Sequence, residues 1–202
     1  AGFLKRVTPG LPSVTLNLAT TLDGRVATAT GESRWITGPQ SRRAVHAMRM
    51  SHDAVMVGSG TARADDPDLT VRDMGAGHQP IRIVLDSQLR HAPDSRLGRT
   101  ARQSPVWLVH SPTAPDANRK AWANTGATLV VAAADGPHLN PTAALRALAE
   151  IGLTRILWEG GGTLAAALIR ANLVDDLALY TAGALIGADG QAAIAALHLT
   201  AL

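Results

Sequence analysis

The chain has 202 residues, which suits one domain with a short lead-in, and 46% hydrophobic against 17% charged residues allows a sizeable buried core. Its net charge of +3 and its single Tyr and single Phe exclude the dense basic stripe with stacking aromatics that marks a nucleic-acid binder, and the modest excess fits small anionic ligands better. The lack of cysteine excludes disulfides and thiolate metal sites, and no stretch reaches the roughly 18 apolar residues of a membrane span, so a cytoplasmic enzyme is the expectation.

From Ala1 to Pro12 the chain carries Gly2, Pro9, Gly10 and Pro12 in a basic setting, which reads as a linker following another domain. Val14–Ala19 is the first strand candidate, and Asp23-Gly24 is a turn signal that predicts a hairpin between two strands. A helix follows over Pro39–Ser51, with Pro39 at an early position and Thr37 or Gly38 as its cap. Ala54–Gly58, Ile81–Asp86, Val106–His110 and Thr128–Ala132 are further strands, with a helix over Ala114–Asn124 between the last two. Pro141–Ile151 is a helix, Arg155–Trp158 a strand, Thr163–Ala171 a helix and Leu177–Thr181 the last strand. Several of these strands are apolar almost throughout, as strands covered on both faces are. The alternation predicts an α/β three-layer sandwich, a mainly parallel central sheet flanked by helices.

Chemistry concentrates in four places. At Trp158-Glu159-Gly160-Gly161-Gly162-Thr163-Leu164 a strand ends, glycines turn the backbone and a helix begins; a phosphate binds well at such a turn, and so does nothing at all in many proteins. Glu159 falls where open α/β sheets bind ligands, or it is a carboxylate that favours a helix N-terminus. In the loop Gly31–Thr37, Trp35 offers a flat face to a nicotinamide or base, although a core plug is the commoner role of such a residue. On the Pro39–Ser51 helix, Arg42, His46 and Arg49 share one face by their spacing, with Ala44, Val45 and Met48 expected on the buried side. That row is either a solvated basic face or an arginine fork for a phosphate. Gly58–Arg72 reads as a loop of capping aspartates (Asp65, Asp66, Asp68) rather than a metal site, since Pro67 interrupts the array. The histidines are scattered, and no metal is expected.

Taken in order, Leu22–Ala27, Gly31–Thr37, Val57–Thr61, Asp65–Arg72, Glu159–Leu164 and Leu173–Asp175 resemble the reductase domain of the bifunctional riboflavin biosynthesis deaminase–reductase. The likeness covers nearly the whole chain. It implies a dihydrofolate-reductase-like fold over residues 13–202, with residues 1–12 as the linker from an upstream zinc deaminase domain, and a homodimer. It implies NADPH as cofactor and 5-amino-6-(5-phosphoribosylamino)uracil as the small phosphorylated pyrimidine substrate, with hydride delivered to C1′ of the ribose. By position, Ser33, Arg49, Leu69, Arg72 and Glu159 match substrate contacts, with the arginines on the phosphate. Ala19, Trp35, Thr61, Asp65, Ser87, Gly161, Gly162, Thr163 and Leu164 match cofactor contacts. The family usually has Lys where this chain has Asn17, so proton delivery falls to Glu159, the candidate catalytic residue, or to a water. The Pro-Lys pair common near residues 182–187 is also missing, and a further strand is expected beyond Leu202. A dihydrofolate reductase and a weakened nucleotide-binding scaffold for a deaminase partner are the alternatives.

Overall fold

The computed structural model describes residues 2–75 and 77–200. Helix α1 (Gly2–Val7) leads into strand β1 (Ser13–Thr21) and the short β2 (Arg25–Ala27). Helix α2 (Pro39–Ser51), β3 (Ala54–Gly58), α3 (Ser59–Asp65) and β4 (Ile81–Leu85) follow, then α4 (Arg96–Arg99), β5 (Val106–His110), α5 (Asp116–Thr125) and β6 (Thr128–Val131). A small hairpin, β7 (Ala134–Asp135) and β8 (His138–Leu139), precedes α6 (Pro141–Glu150), β9 (Arg155–Trp158), α7 (Gly162–Arg170), β10 (Asp176–Ala182) and β11 (Gln191–Ala192).

The central sheet runs β10-β1-β9-β3-β4-β5-β6, and every pairing in it is parallel. Strand side chains alternate between faces, so the near-continuous apolar runs split into two cores. Val14, Leu16, Met56, Ile83, Ile156 and Trp158 pack on one face with Leu145 and Leu148 of α6 and Leu168 of α7. Val55, Val57, Val84, Leu108 and Leu157 pack on the other with Ala62 of α3, Leu97 of α4 and Trp122 of α5. This is the three-layer sandwich that the alternation of elements predicts. All seven predicted strands and all four predicted helices are present within a few residues of their expected bounds.

Three local features go beyond the sequence reading. Within the expected linker, Gly2–Val7 form α1: Gly2 is buried against the Thr154 backbone, Arg6 Nε donates to Ala149 O at 2.8 Å, and Lys5 pairs with Asp175. Packing, not propensity, holds a helix this short. The Asp23-Gly24 turn forms, with Gly24 at φ +73°, but β2 pairs antiparallel with β11 and no hairpin with β1 results. Both edges of β1 are already taken, by β9 and β10. Residues 59–65 form α3 rather than loop, capped by Asp66 in the left-handed region with its N–H on Ala62 O. Only Ala62 of that helix is buried, so no apolar period announces it.

Candidate active site

The C-terminal ends of β1, β3 and β9 lie side by side, where open parallel sheets form their ligand crevices. Thr15 and Leu157 are register partners, so Asn17 and Glu159, two residues on, share the sheet face toward α2. The Glu159 N–H continues the ladder onto Met56 O at 2.9 Å. Its carboxylate is held by Arg49 of α2 through two parallel bonds, Nε to Oε1 at 2.7 Å and Nη2 to Oε2 at 2.6 Å. Arg49 Nη1 donates to Thr70 O at 2.7 Å. Both side chains are 12% exposed. Burial works against the Arg49 charge, but the hydrogen bonds and charge of Glu159 outweigh it and raise its pKa. All three guanidinium nitrogens are therefore engaged within the protein. Three of its five N–H donors are thus spent inside the protein, and the bidentate contact holds the Glu159 carboxylate in place.

The glycine turn after β9 is shaped by close approach. A Cβ on Gly160 would overlap the buried Trp158 ring, and one on Gly162 would lie 2.5 Å from Ala192 O. Gly161 caps the nine-residue α7 without a side-chain bond to its first N–H groups. A crevice of about 750 Å³ opens over this turn, lined by Ala19, Thr61, Asp65, Gly161, Thr163 and Leu164 among others. Bare backbone, N–H groups at a helix start and a size suited to a nucleotide fit a pyrophosphate-bearing cofactor.

A second cavity, also about 750 Å³, is lined by Trp35, Arg42, Arg43, His46, Arg49 and Arg72. Asn17, Ala19, Ser33, Asp65 and Glu159 border both spaces, so the two share a wall at Glu159. His46 Nδ1 accepts from Arg72 N at 3.2 Å. Burial, then the Arg49 and Arg72 charges, push its pKa below the ordinary value, which suits a neutral acceptor.

Of the expected contacts, Ser33, Arg49, Arg72, Glu159, Ala19, Thr61, Asp65 and the Gly161–Leu164 turn are brought to these walls. Trp35 is there too, but on the second cavity; it is 69% exposed with the Arg42 guanidinium 4.4 Å over its ring, which overturns the core-plug reading. Leu69, 4% exposed at φ +55°, packs into the core and lines neither space, and nor does Ser87, whose Oγ donates to Pro137 O. Nor does α2 bury Ala44, Val45 or Met48: each stays half-buried. Of the aspartates expected to cap, Asp66 accepts from Arg96 N at the start of α4, whereas Asp68 pairs with the Arg72 and Arg96 side chains. Sequence reasoning missed Gln191 and Ala192 on the first wall and Arg43 on the second. The periodicity of the helix carried the signal for Arg43, whereas β11 reaches its place only by pairing with β2. Asn17, noticed in the sequence as a departure, has its Oδ1 buried without a partner.

Residues 12–201 match the family described as the RibD C-terminal domain. The chain is 38% identical over 202 residues to the riboflavin biosynthesis protein RibD of Escherichia coli K12, covering 94% of this chain and 53% of that protein. It is 39% identical over 178 residues to the 2,5-diamino-6-ribosylamino-4(3H)-pyrimidinone 5′-phosphate reductase of Methanothermobacter thermautotrophicus, covering 87% of this chain and 80% of that one. The solved structure of Acinetobacter baumannii RibD, form 1, superposes with a TM-score of 0.80 at 32% identity over 96% of this chain and 52% of that one. The chain spans about half the length of the RibD proteins it matches. No helix among the described residues is long and apolar enough to cross a membrane. With its all-parallel seven-stranded sheet, its glycine turn and its Glu159 wall, the chain belongs to the RibD C-terminal domain family, the dihydrofolate-reductase-like reductase part of the riboflavin biosynthesis proteins.

Proposed function

We propose that the chain is a cytoplasmic NADPH-dependent reductase that converts 5-amino-6-(5-phosphoribosylamino)uracil to its ribitylamino form. The observation that carries this reading is the Arg49–Glu159 pair, standing where a glycine-lined crevice meets a cavity rimmed with arginines. The crevice takes the cofactor, with its pyrophosphate on the Gly161–Leu164 turn and contacts from Ala19, Thr61 and Asp65. Trp35 borders the nicotinamide from the side of the second cavity. The bound cofactor supplies a hydride.

This chain's residues do the rest. Arg72, with His46 and Arg43 beside it, receives the 5′-phosphate. Ser33 positions the pyrimidine and its sugar, and Leu69, whose side chain is buried, contributes its backbone. Glu159, its negative charge fixed in place by Arg49, accepts hydrogen bonds from the opened sugar and stabilises positive charge developing at its C1′–N unit. With a neutral amide at Asn17, the proton that completes the reduction comes from a water held against Asn17 and Glu159. Residues 1–12 join an upstream zinc deaminase domain in the parent chain, and the assembled protein is a homodimer.

The test follows NADPH absorbance with the deaminated phosphoribosylamino-pyrimidine, with NADH and with dihydrofolate in parallel. Oxidation of NADPH by the phosphorylated pyrimidine alone is the expected result. Turnover of dihydrofolate would replace this reading with the dihydrofolate reductase one, and NADPH binding without any turnover would leave the scaffold.

A further inference from the structure

The segment Asp66–Arg72 has no secondary structure, and Asp66, Leu69 and the adjoining Asp73 all sit at positive φ. A backbone of this kind must find hydrogen bonds outside itself. Here side chains from elsewhere provide them. Arg82 of β4, 1% exposed, donates from Nη1 to Asp68 O at 3.3 Å, while its other bonds go to Thr100 and Ser104. Arg49 holds Thr70 O, and His46 receives the Arg72 N–H. Gln79 takes both groups of one residue: its Oε1 accepts from Val71 N at 2.7 Å and its Nε2 donates to Val71 O at 3.1 Å.

Two bonds to a single residue fix the orientation of the peptide planes on either side of it, and the plane after Val71 belongs to Arg72. The Arg72 side chain is 56% exposed, and its carboxylate contact with Asp68 is 3.5 Å long. Its direction is therefore set from the backbone rather than by its own ion pair.

We propose that Gln79 is a positioning residue that acts through Arg72: by clamping Val71 it aims the Arg72 guanidinium into the second cavity and so sets the preference for a phosphorylated sugar. This rests on placing the phosphate in that cavity, as argued above. Gln79 is half-buried in a loop and touches neither of the two cavities' walls.

The experiment titrates ribose 5-phosphate by calorimetry into the wild type, Gln79→Ala, Arg72→Ala and the double variant. Gln79→Ala weakens binding about tenfold, what the loss of one or two neutral hydrogen bonds supports. On the Arg72→Ala background the same change adds less than about twofold, because the two residues act as a unit. Gln79→Glu keeps the acceptor for Val71 N and loses the donor, and falls between. In turnover, Gln79→Ala raises KM for the phosphorylated substrate with kcat within about twofold, and leaves the dephosphorylated substrate unchanged. Additive effects in the cycle, unchanged affinity in Gln79→Ala, or an equal loss for both substrates would overturn the proposal, as would a wild type that does not bind ribose 5-phosphate. A wild type that binds ribose 5-phosphate with the expected cycle but oxidises no NADPH would remove the reductase reading and leave this one standing.

Discussion

Arg49 and Glu159 are 110 residues apart in sequence and join as a bidentate pair with 12% of each side chain exposed. Breaking a pair of this kind leaves a charge without its partner, which costs about 3–5 kcal/mol when burial is complete. For this partly exposed site, Arg49→Met is expected to lower stability by about 2–3 kcal/mol in chemical denaturation, after discounting for solvent screening. Glu159→Gln keeps the shape and one acceptor but removes the charge that faces the reacting sugar. Its kcat is expected to fall about 10²-fold, the scale of losing one preorganised electrostatic contact, with the KM for NADPH unchanged. Equal loss in kcat and cofactor affinity would show that Glu159 merely shapes the crevice. Glu159 was legible as a site residue because it follows an apolar strand and precedes three glycines. Its pairing with Arg49 was not, since helical spacing places Arg49 on a face without saying what that face meets.

Among the elements, the glycine turn between β9 and α7 is the most constrained. Gly160→Ala pushes a methyl into the buried Trp158 ring, and a loss of about 1–3 kcal/mol in thermal or denaturant unfolding is expected, the ordinary cost of overpacking. The crossing that brings β11 beside β2 depends on Asp23, whose carboxylate accepts from Thr21 Oγ1 and from the N–H groups of Ile186 and Gly187. The Thr21 bond first, and then the Gly187 N–H, lower its pKa from 3.8 to about 2. A depressed carboxyl stabilises the folded state above its unfolded pKa, so this contribution is complete above about pH 4 and fades as pH falls toward 2. Unfolding temperatures between pH 2 and 6 should therefore fall less steeply in Asp23→Asn than in the wild type; matching slopes would show that the clamp is absent in solution. The Asp23-Gly24 dipeptide announced the turn, but not that its carboxylate holds a loop more than 160 residues away.

For the whole molecule, the apolar-run strands and their alternation with helices were enough to predict the three-layer sandwich. The edge strand β10 shows what they leave open. Leu177 and Leu179, 57% and 53% exposed, share the sheet face of Leu16 and Leu18, opposite the one that Tyr180 turns toward Met48 of α2. Apolar surface of this kind is covered in many assemblies by a second subunit. Sedimentation is expected to find a homodimer that Leu177→Asp with Leu179→Asp converts to monomer; a monomeric wild type would assign that face to another role. The sequence by itself determined the parallel sheet, the helices on both faces and the glycine turn, because periodicity and turn chemistry act over a few neighbouring residues. Only the tertiary structure decided that Arg49 pairs with Glu159, that β2 pairs with β11, and that α1 packs as part of the body. Each of those depends on which distant groups are already occupied when the chain closes on itself, and local pattern carries no record of that.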